Sequence, residues 1–183
     1  LPDEDFDPVL GESTGAGVIF GATGGVMEAA LRTVYEKVTG ETLKDVNFTA
    51  VRGTEGIKEA TVKVGDLDVN VAVAHGTANA AKLLDSVRSG EKTYHFIEVM
   101  GCPGGCVTGG GQPIVSAQKR MECDPKQLRA AALYNEDANK PERKSHDNPS
   151  IMALYKDYLG EPNSHLAHEL LHTTYTKRPK YTK

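Results

Sequence analysis

The stretch Phe96–Pro113, Phe-Ile-Glu-Val-Met-Gly-Cys-Pro-Gly-Gly-Cys-Val-Thr-Gly-Gly-Gly-Gln-Pro, constrains the chain more than any other. An apolar run ending at Met100 feeds a segment of glycines and prolines that holds Cys102 and Cys106, two of the chain's three cysteines. Glycine loses the most conformational freedom in a helix or strand, and proline removes a donor, so this composition specifies a loop folded tightly around something. Two thiols set in backbone with few side chains suit a bulky inorganic centre, because thiolates bind iron and neighbouring N–H groups face anionic ligands.

Other chemistries fit the loop less well. A zinc site calls for a second Cys or His pair at similar spacing, and none follows. A phosphate loop needs Lys and a hydroxyl after Gly-x4-Gly; Gly104 and Gly109 have that gap, but Gly110 and Gly111 stand in those places. A Cys102–Cys106 disulfide does not match the framework of a secreted scaffold. An iron–sulfur centre and a purely structural glycine loop remain.

The string Glu98-Val-Met-Gly-Cys-Pro-Gly-Gly-Cys-Val-Thr-Gly-Gly-Gly-Gln-Pro113 closely resembles the third signature of the iron-only (FeFe) hydrogenases. The resemblance extends over nearly the whole chain, through Gly15–Arg32, Arg143–Asn148 and Gly160–His172. It implies an α/β fold, a mixed sheet with flanking helices, forming the C-terminal portion of the catalytic domain. Residues 1–183 are then one domain, with a cluster-binding loop at 96–113 and a helical segment at 124–176. The cofactors implied are a 4Fe-4S cubane and a two-iron unit carrying CO, cyanide and a bridging dithiolate, together the H-cluster. By the match, Cys102 ligates the cubane, and Cys106 ligates it while bridging to the two-iron unit. Met100 lies against the diiron ligands, Phe20 and Val26 form apolar pocket wall, and Met27 is core. Gly101 replaces a usual Ala, and Cys123 is extra.

A cubane takes four protein ligands, and the family's other two lie in upstream signatures, T-S-C-C-P and M-P-C-x-x-K, which do not occur in this sequence. The resemblance therefore implies completion by an upstream portion of the domain, in the same polypeptide or a separate chain. Leu1 is not a start methionine, in line with a chain that begins partway through a larger protein. Ferredoxin or an NAD-linked subunit would exchange electrons, with H2 and protons as reactants. The Narf-type iron–sulfur assembly proteins share the C-P-x-G-C-x-x-G-G-G-Q loop and form the main alternative; the string at Gly21–Arg32 looks more like the hydrogenases.

The chain has 183 residues, enough for one domain with a core, and a net charge of −4. Its basic residues are dispersed, which argues against a nucleic-acid surface. No apolar run reaches membrane-spanning length and no signal peptide is visible, so a cytoplasmic location is expected.

Along the chain, Asp3–Pro8 reads as a surface loop. Val18–Phe20 reads as a strand feeding a glycine loop and a helix over Val26–Val38, with Val26, Ala30, Val34 and Val38 as its apolar face. Phe20 breaks the Gly-x-Gly-x-x-Gly pattern begun at Gly15, so a dinucleotide site is not specified. Strands are expected at Val46–Val51 and Tyr94–Val99, and a hairpin over Ala60–Val64 and Val69–Ala74 turning at Gly65-Asp66. Thr77–Val87 should be a helix burying Ala78, Ala81, Leu84 and Val87. His75 reads as a hydrogen-bonded loop histidine. Asp124 and Pro125 open a helix to about Glu136, and Cys123 before it is an incidental free thiol. Asp137–Asn148 is expected to be a solvated charged connector. Pro149 opens a helix to Leu159, and Ser164 caps a final helix to about Thr174.

That last helix carries His168-Glu169-Leu-Leu-His172, a literal H-E-x-x-H zinc-peptidase pattern with His165 one turn earlier. Thr173–Lys183 holds no His, Asp or Glu to serve as a downstream ligand, and Tyr175 and Arg178 stand where the longer metzincin pattern needs Gly and His. The hydrogenases' C-terminal helix resembles this one without zinc.

Overall fold

Alternation along two adjacent segments builds the sheet. In the computed structural model, which describes residues 2–4, 7 and 10–179, β1 (Ile57–Val64) and β2 (Leu67–His75) pair antiparallel around Gly65-Asp66. Gly65 has φ +60°, a left-handed value that a two-residue hairpin turn needs and glycine adopts freely. A crossover through α3 (Thr77–Arg88) returns the chain to β3 (Phe96–Met100), parallel to β2 with Val73 opposite Glu98. The result is a mixed three-stranded sheet of order β1-β2-β3, flanked by helices, which is the α/β class read from the sequence. Asp5, Phe6 and Pro8 of the expected surface loop lie outside the described residues.

Each face of the sheet has its own core. On one, α2 (Gly25–Thr39) packs Met27 and Leu31 against Val51, Val62, Val64, Val71 and Val73. On the other, Leu83 of α3 packs against Ala72 and Ala74. Removing each large apolar side chain from water contributes about 1.5–3 kcal/mol.

Four expectations are corrected here. Val18–Phe20 is not a strand: α1 (Gly15–Val18) runs into a 3-10 turn over Ile19–Gly21. Thr14 caps that helix, its Oγ1 accepting from Gly17 N at 3.2 Å, and no strand lies alongside to pair with it among the described residues. Val46–Val51 likewise contains only a 3-10 turn at Thr49–Val51, because the Val46 carbonyl is taken by Arg32 Nε at 2.9 Å. On α2 the face Val26-Ala30-Val34-Val38 is turned largely outward, Val38 being 55% exposed, while Met27, Glu28, Leu31 and Arg32 are buried. On α3, Ala80 and Leu83 are buried in place of Ala78, Ala81, Leu84 and Val87, a rotation that sets Leu83 over the small Ala72 and Ala74. Periodicity located both helices, but ion pairing on α2 and small partner residues under α3 decide which face goes in.

The chain forms two compact units, residues 13–147 and residues 1–12 with 148–183. The first also holds α4 (Ala117–Glu122) and α5 (Pro125–Asn139), the latter capped by Asp124, whose Oδ1 accepts from Lys126 N at 2.8 Å. In the second unit, Asn148 caps α6 (Pro149–Leu154), which widens into a π turn to Leu159. Ser164 caps α7 (His165–Leu171), which stops before the expected Thr174 because His172 is extended, at φ −100° and ψ 132°. Among the described residues no helix is long and apolar enough to cross a membrane.

Candidate metal centre

β3 ends at Met100, whose carbonyl accepts from Gly76 N at 2.8 Å, and the chain leaves the sheet directly into the cysteine loop. Gly105 N donates to Cys102 O at 3.0 Å, and Gly109 N to Cys106 O at 2.9 Å, closing a tight turn and then a 3-10 turn over Cys106–Thr108. Thr108 Oγ1 reaches back to Pro103 O at 2.6 Å. Gly104 and Gly105 adopt φ +90° and +96°, which residues with a Cβ rarely adopt. Gly104, Gly105 and Val107 are buried, while Cys102 and Cys106 are exposed and unbridged. The loop buries its backbone and turns two free thiols to the surface, a donor set suited to a thiolate-bound cluster.

The loop rests on the segment Gly21–Gly24. Thr23 N donates to Gly104 O at 3.0 Å, and a Cβ on Gly105 would come within 2.7 Å of Gly21 O and 2.8 Å of Thr23 N. Beyond the loop, Arg129 of α5 donates to Val107 O and Pro113 O, both at 2.9 Å, and ties the glycine run to that helix. Met100 is half-buried where β3 meets the loop, Val26 is half-buried in the first turn of α2, and Phe20 is 45% exposed. Phe20 and Val26 thus flank the segment under the loop. Cys123 lies apart, at the end of α4, with its Sγ 3.4 Å from Lys119 O.

Two buried charged residues beneath this segment were not singled out from the sequence. Glu98 of β3, 5% exposed, accepts from Gly24 N and Met27 N at 2.7 Å each and so caps the start of α2. Lys58 of β1, also buried, donates to Thr23 O and Gly53 O at 2.9 Å. Burial holds its ammonium down at about 8, although Glu98 and Glu55 draw it up. The signal for Glu98 was present: it is a charged residue on an inward position of an apolar strand.

The connector 137–148 is also corrected. Asp137 is fully buried, and Arg143, Lys144 and His146 fold back onto α2 through Arg32 and Glu36. Glu36, His146 and Asp147 bring ligand atoms within 4.8 Å of one another, the one such group among the described residues. Lys144 Nζ already lies 2.9 Å from Glu36 and 2.6 Å from Asp147, so an ammonium supplies the positive charge there. His75 is buried with Nε2 3.2 Å from Thr54 O, the hydrogen-bonded histidine expected. His172 is the C-cap of α7, its N–H donating to His168 O at 3.2 Å, and the two rings stack face to face with centroids 4.3 Å apart, so the H-E-x-x-H imidazoles share one face but lie against each other.

The "Iron hydrogenase small subunit" family matches residues 124–178. The NADP-reducing hydrogenase subunit HndD of Solidesulfovibrio fructosivorans is 57% identical over 180 residues, covering 98% of this chain and 30% of that protein. The FeFe-hydrogenase HydA1 from Chlamydomonas reinhardtii superposes with a TM-score of 0.71 at 43% identity, over 96% of this chain and 50% of that one. A lesser likeness, 30% identity over 155 residues, links it to cytosolic iron-sulfur assembly component 3 of Rattus norvegicus, with 85% of this chain and 31% of that protein covered. The chain thus spans about a third of the curated relatives it matches. Residues 1–110 match the "Iron only hydrogenase large subunit, C-terminal domain" family, and with its fold and cysteine loop the chain belongs to that family.

Proposed function

We propose that this chain forms one part of an iron-only hydrogenase catalytic domain and supplies two cysteine ligands to its iron–sulfur centre, the completed enzyme interconverting H2 with protons and electrons. The observation carrying the reading is the turn that buries Gly104, Gly105 and Val107 while exposing Cys102 and Cys106. When bound, a 4Fe-4S cubane joined to a CO- and cyanide-ligated diiron unit with its dithiolate supplies the electron transfer and hydrogen activation. Cys102 would hold the cubane as thiolate, and Cys106 would hold it too and join it to the diiron unit. Met100, Phe20 and Val26 exclude water and keep the site of low polarity.

Two thiols leave a cubane two ligands short, so an upstream portion of the same domain completes the site, in this polypeptide or another. Electrons pass to ferredoxin or an NAD-linked subunit. The proposed compartment is the cytoplasm, where three free thiols persist.

The test is hydrogen evolution from reduced methyl viologen, with infrared spectra in the CO and cyanide region, on the chain matured together with its upstream portion. Activity with those bands is expected. The second reading, an iron–sulfur assembly protein of Narf type, is favoured by the 30% likeness to assembly component 3. Iron and sulfide without those bands would establish it. Zinc in place of iron would remove both readings and restore the one based on His168, Glu169 and His172.

A further inference from the structure

We propose that Glu98 and Lys58 are positioning residues for the Cys102–Cys106 loop, clamping from both edges the peptide group next to the one on which the loop is seated. The inference rests on the iron–sulfur reading of that loop and assigns roles to two residues that do not touch the metal.

The clamped peptide joins Thr23 to Gly24. Lys58 Nζ donates to its carbonyl oxygen at 2.9 Å, and Glu98 Oε1 accepts from its N–H at 2.7 Å. In a planar trans peptide the carbonyl and the N–H point in opposite directions, so the clamp acts from opposite edges. Both charged side chains are buried, where each hydrogen bond is strong and a lost partner is costly. The neighbouring Thr23 N–H then donates to Gly104 O, between the two cysteines. Gly24 itself has φ +91° and leaves no room for a side chain, since a Cβ would fall 1.9 Å from Val51 O. Backbone held in an unusual conformation needs neighbours that over-determine it, and the clamp provides them.

Glu98 also reaches forward. Its Oε2 accepts from Met27 N at 2.7 Å, so one carboxylate joins the loop's seat to the first turn of α2. Because Glu98 and Cys102 follow one another on β3 and its exit, the strand that presents the thiols also fixes the surface on which they rest. A cluster's potential depends on ligand geometry, hydrogen bonds and solvent access, so disturbing the seat should register at the metal.

The test compares Glu98→Gln and Lys58→Met with wild type in the full-length, iron-loaded protein. Hydrogen exchange is read over Ala22–Gly24 and Gly104–Cys106, together with the EPR spectrum and midpoint potential of the cubane. Glu98→Gln keeps the side-chain shape but opposes an amide donor to one N–H; Lys58→Met removes both carbonyl contacts without touching α2. Each should keep a cooperative thermal transition, speed exchange at Thr23 N roughly tenfold, and shift the potential with a broadened EPR signal. Lys144→Met, which breaks an ion pair away from the loop, should leave potential and EPR as in wild type. A folded variant of either residue with the wild-type potential and EPR overturns the proposal. Failure of both to fold assigns the pair to general stability and overturns it too. A wild-type protein that takes up no iron refutes the iron–sulfur reading instead, and exchange at Thr23 N then decides whether the pair holds the loop.

Discussion

Arg32 and Asp137 meet in a two-pronged ion pair, Nη1 to Oδ1 at 2.7 Å and Nη2 to Oδ2 at 2.8 Å, both side chains fully buried and 105 residues apart in the chain. Arg143 adds a second cation at 2.6 Å from Oδ2, and Glu28 balances Arg32 at 2.8 Å. Burial alone would push the Asp137 carboxyl up, but the hydrogen bonds from Arg32 and Arg143 outweigh it and hold it below the usual range. Asp137→Asn leaves three guanidinium groups, of Arg32, Arg52 and Arg143, with the Glu28 carboxylate alone to balance them, and the expected loss is about 3–5 kcal/mol by urea denaturation.

Glu36 predicts the acid limb of stability. Burial raises its carboxyl, but hydrogen bonds from His146 and Lys144 bring it down to about 2 from an ordinary 4.5. A lowered carboxyl contributes stability that is fully present above the unfolded-state value and is lost as pH falls through the folded one. Wild type and Glu36→Gln should therefore differ most above pH 4.5 and converge as pH approaches 2. Chemical denaturation across that range, at constant salt, measures the convergence.

Lys58 predicts the opposite limb. Its ammonium is held down to about 8 from 10.5 by burial, so between those values the unfolded chain binds more protons and stability rises with pH. The stability of wild type relative to Lys58→Met should increase across that window, with a slope of at most roughly 1.4 kcal/mol for each step of one in pH. A difference that stays flat between pH 8 and 10.5 would show that the Lys58 environment is wet.

Gly105→Ala should damage the loop directly. The residue sits at φ +96°, and a Cβ would press on the backbone at Gly21 and Thr23, which cannot swing aside as a flexible side chain can. A loss of about 1–3 kcal/mol is expected from the conformation alone, with iron uptake falling in parallel. Thermal denaturation and iron analysis on the same sample check both.

Cysteine replacements separate the three thiols. Cys102→Ala and Cys106→Ala should each lower iron content in the full-length protein, whereas Cys123→Ala should leave it unchanged. Equal iron loss in all three would place Cys123 in the centre.

The sequence was most legible where chemistry is carried by residue type. The Gly-Cys loop, the hairpin turn at Gly65 and the Asp124-Pro125 helix start are local signals, each with a local physical cause. It was least legible where a distant partner decides. Nothing near Val18 or Val46 announces that no strand will lie beside it. Glu28 and Arg32 look like surface residues of α2 until Arg52 and Asp137 arrive to neutralise them. The connector around Arg143 and His146 misled for the same reason, since its charges are satisfied by Glu36 of α2 and Asp137 of α5 rather than by water. Lys58 was missed because its partners are backbone groups, which no pattern of side chains reveals, whereas Glu98 was marked by its place in an apolar strand.

Arg129 grips the glycine run on both sides of Gly109–Gly111, at Val107 and Pro113, while Ile114 just beyond is 98% exposed. A proteolytic cut after Ile114 would sever the chain yet spare both of those bonds and the Arg32–Asp137 pair. The two family matches part company in the same interval, one ending at residue 110 and the other beginning at 124. The docking of α5 thus rests on side-chain bonds that cross the cut, and a cleaved chain is expected to keep α5 in place as a noncovalent fragment.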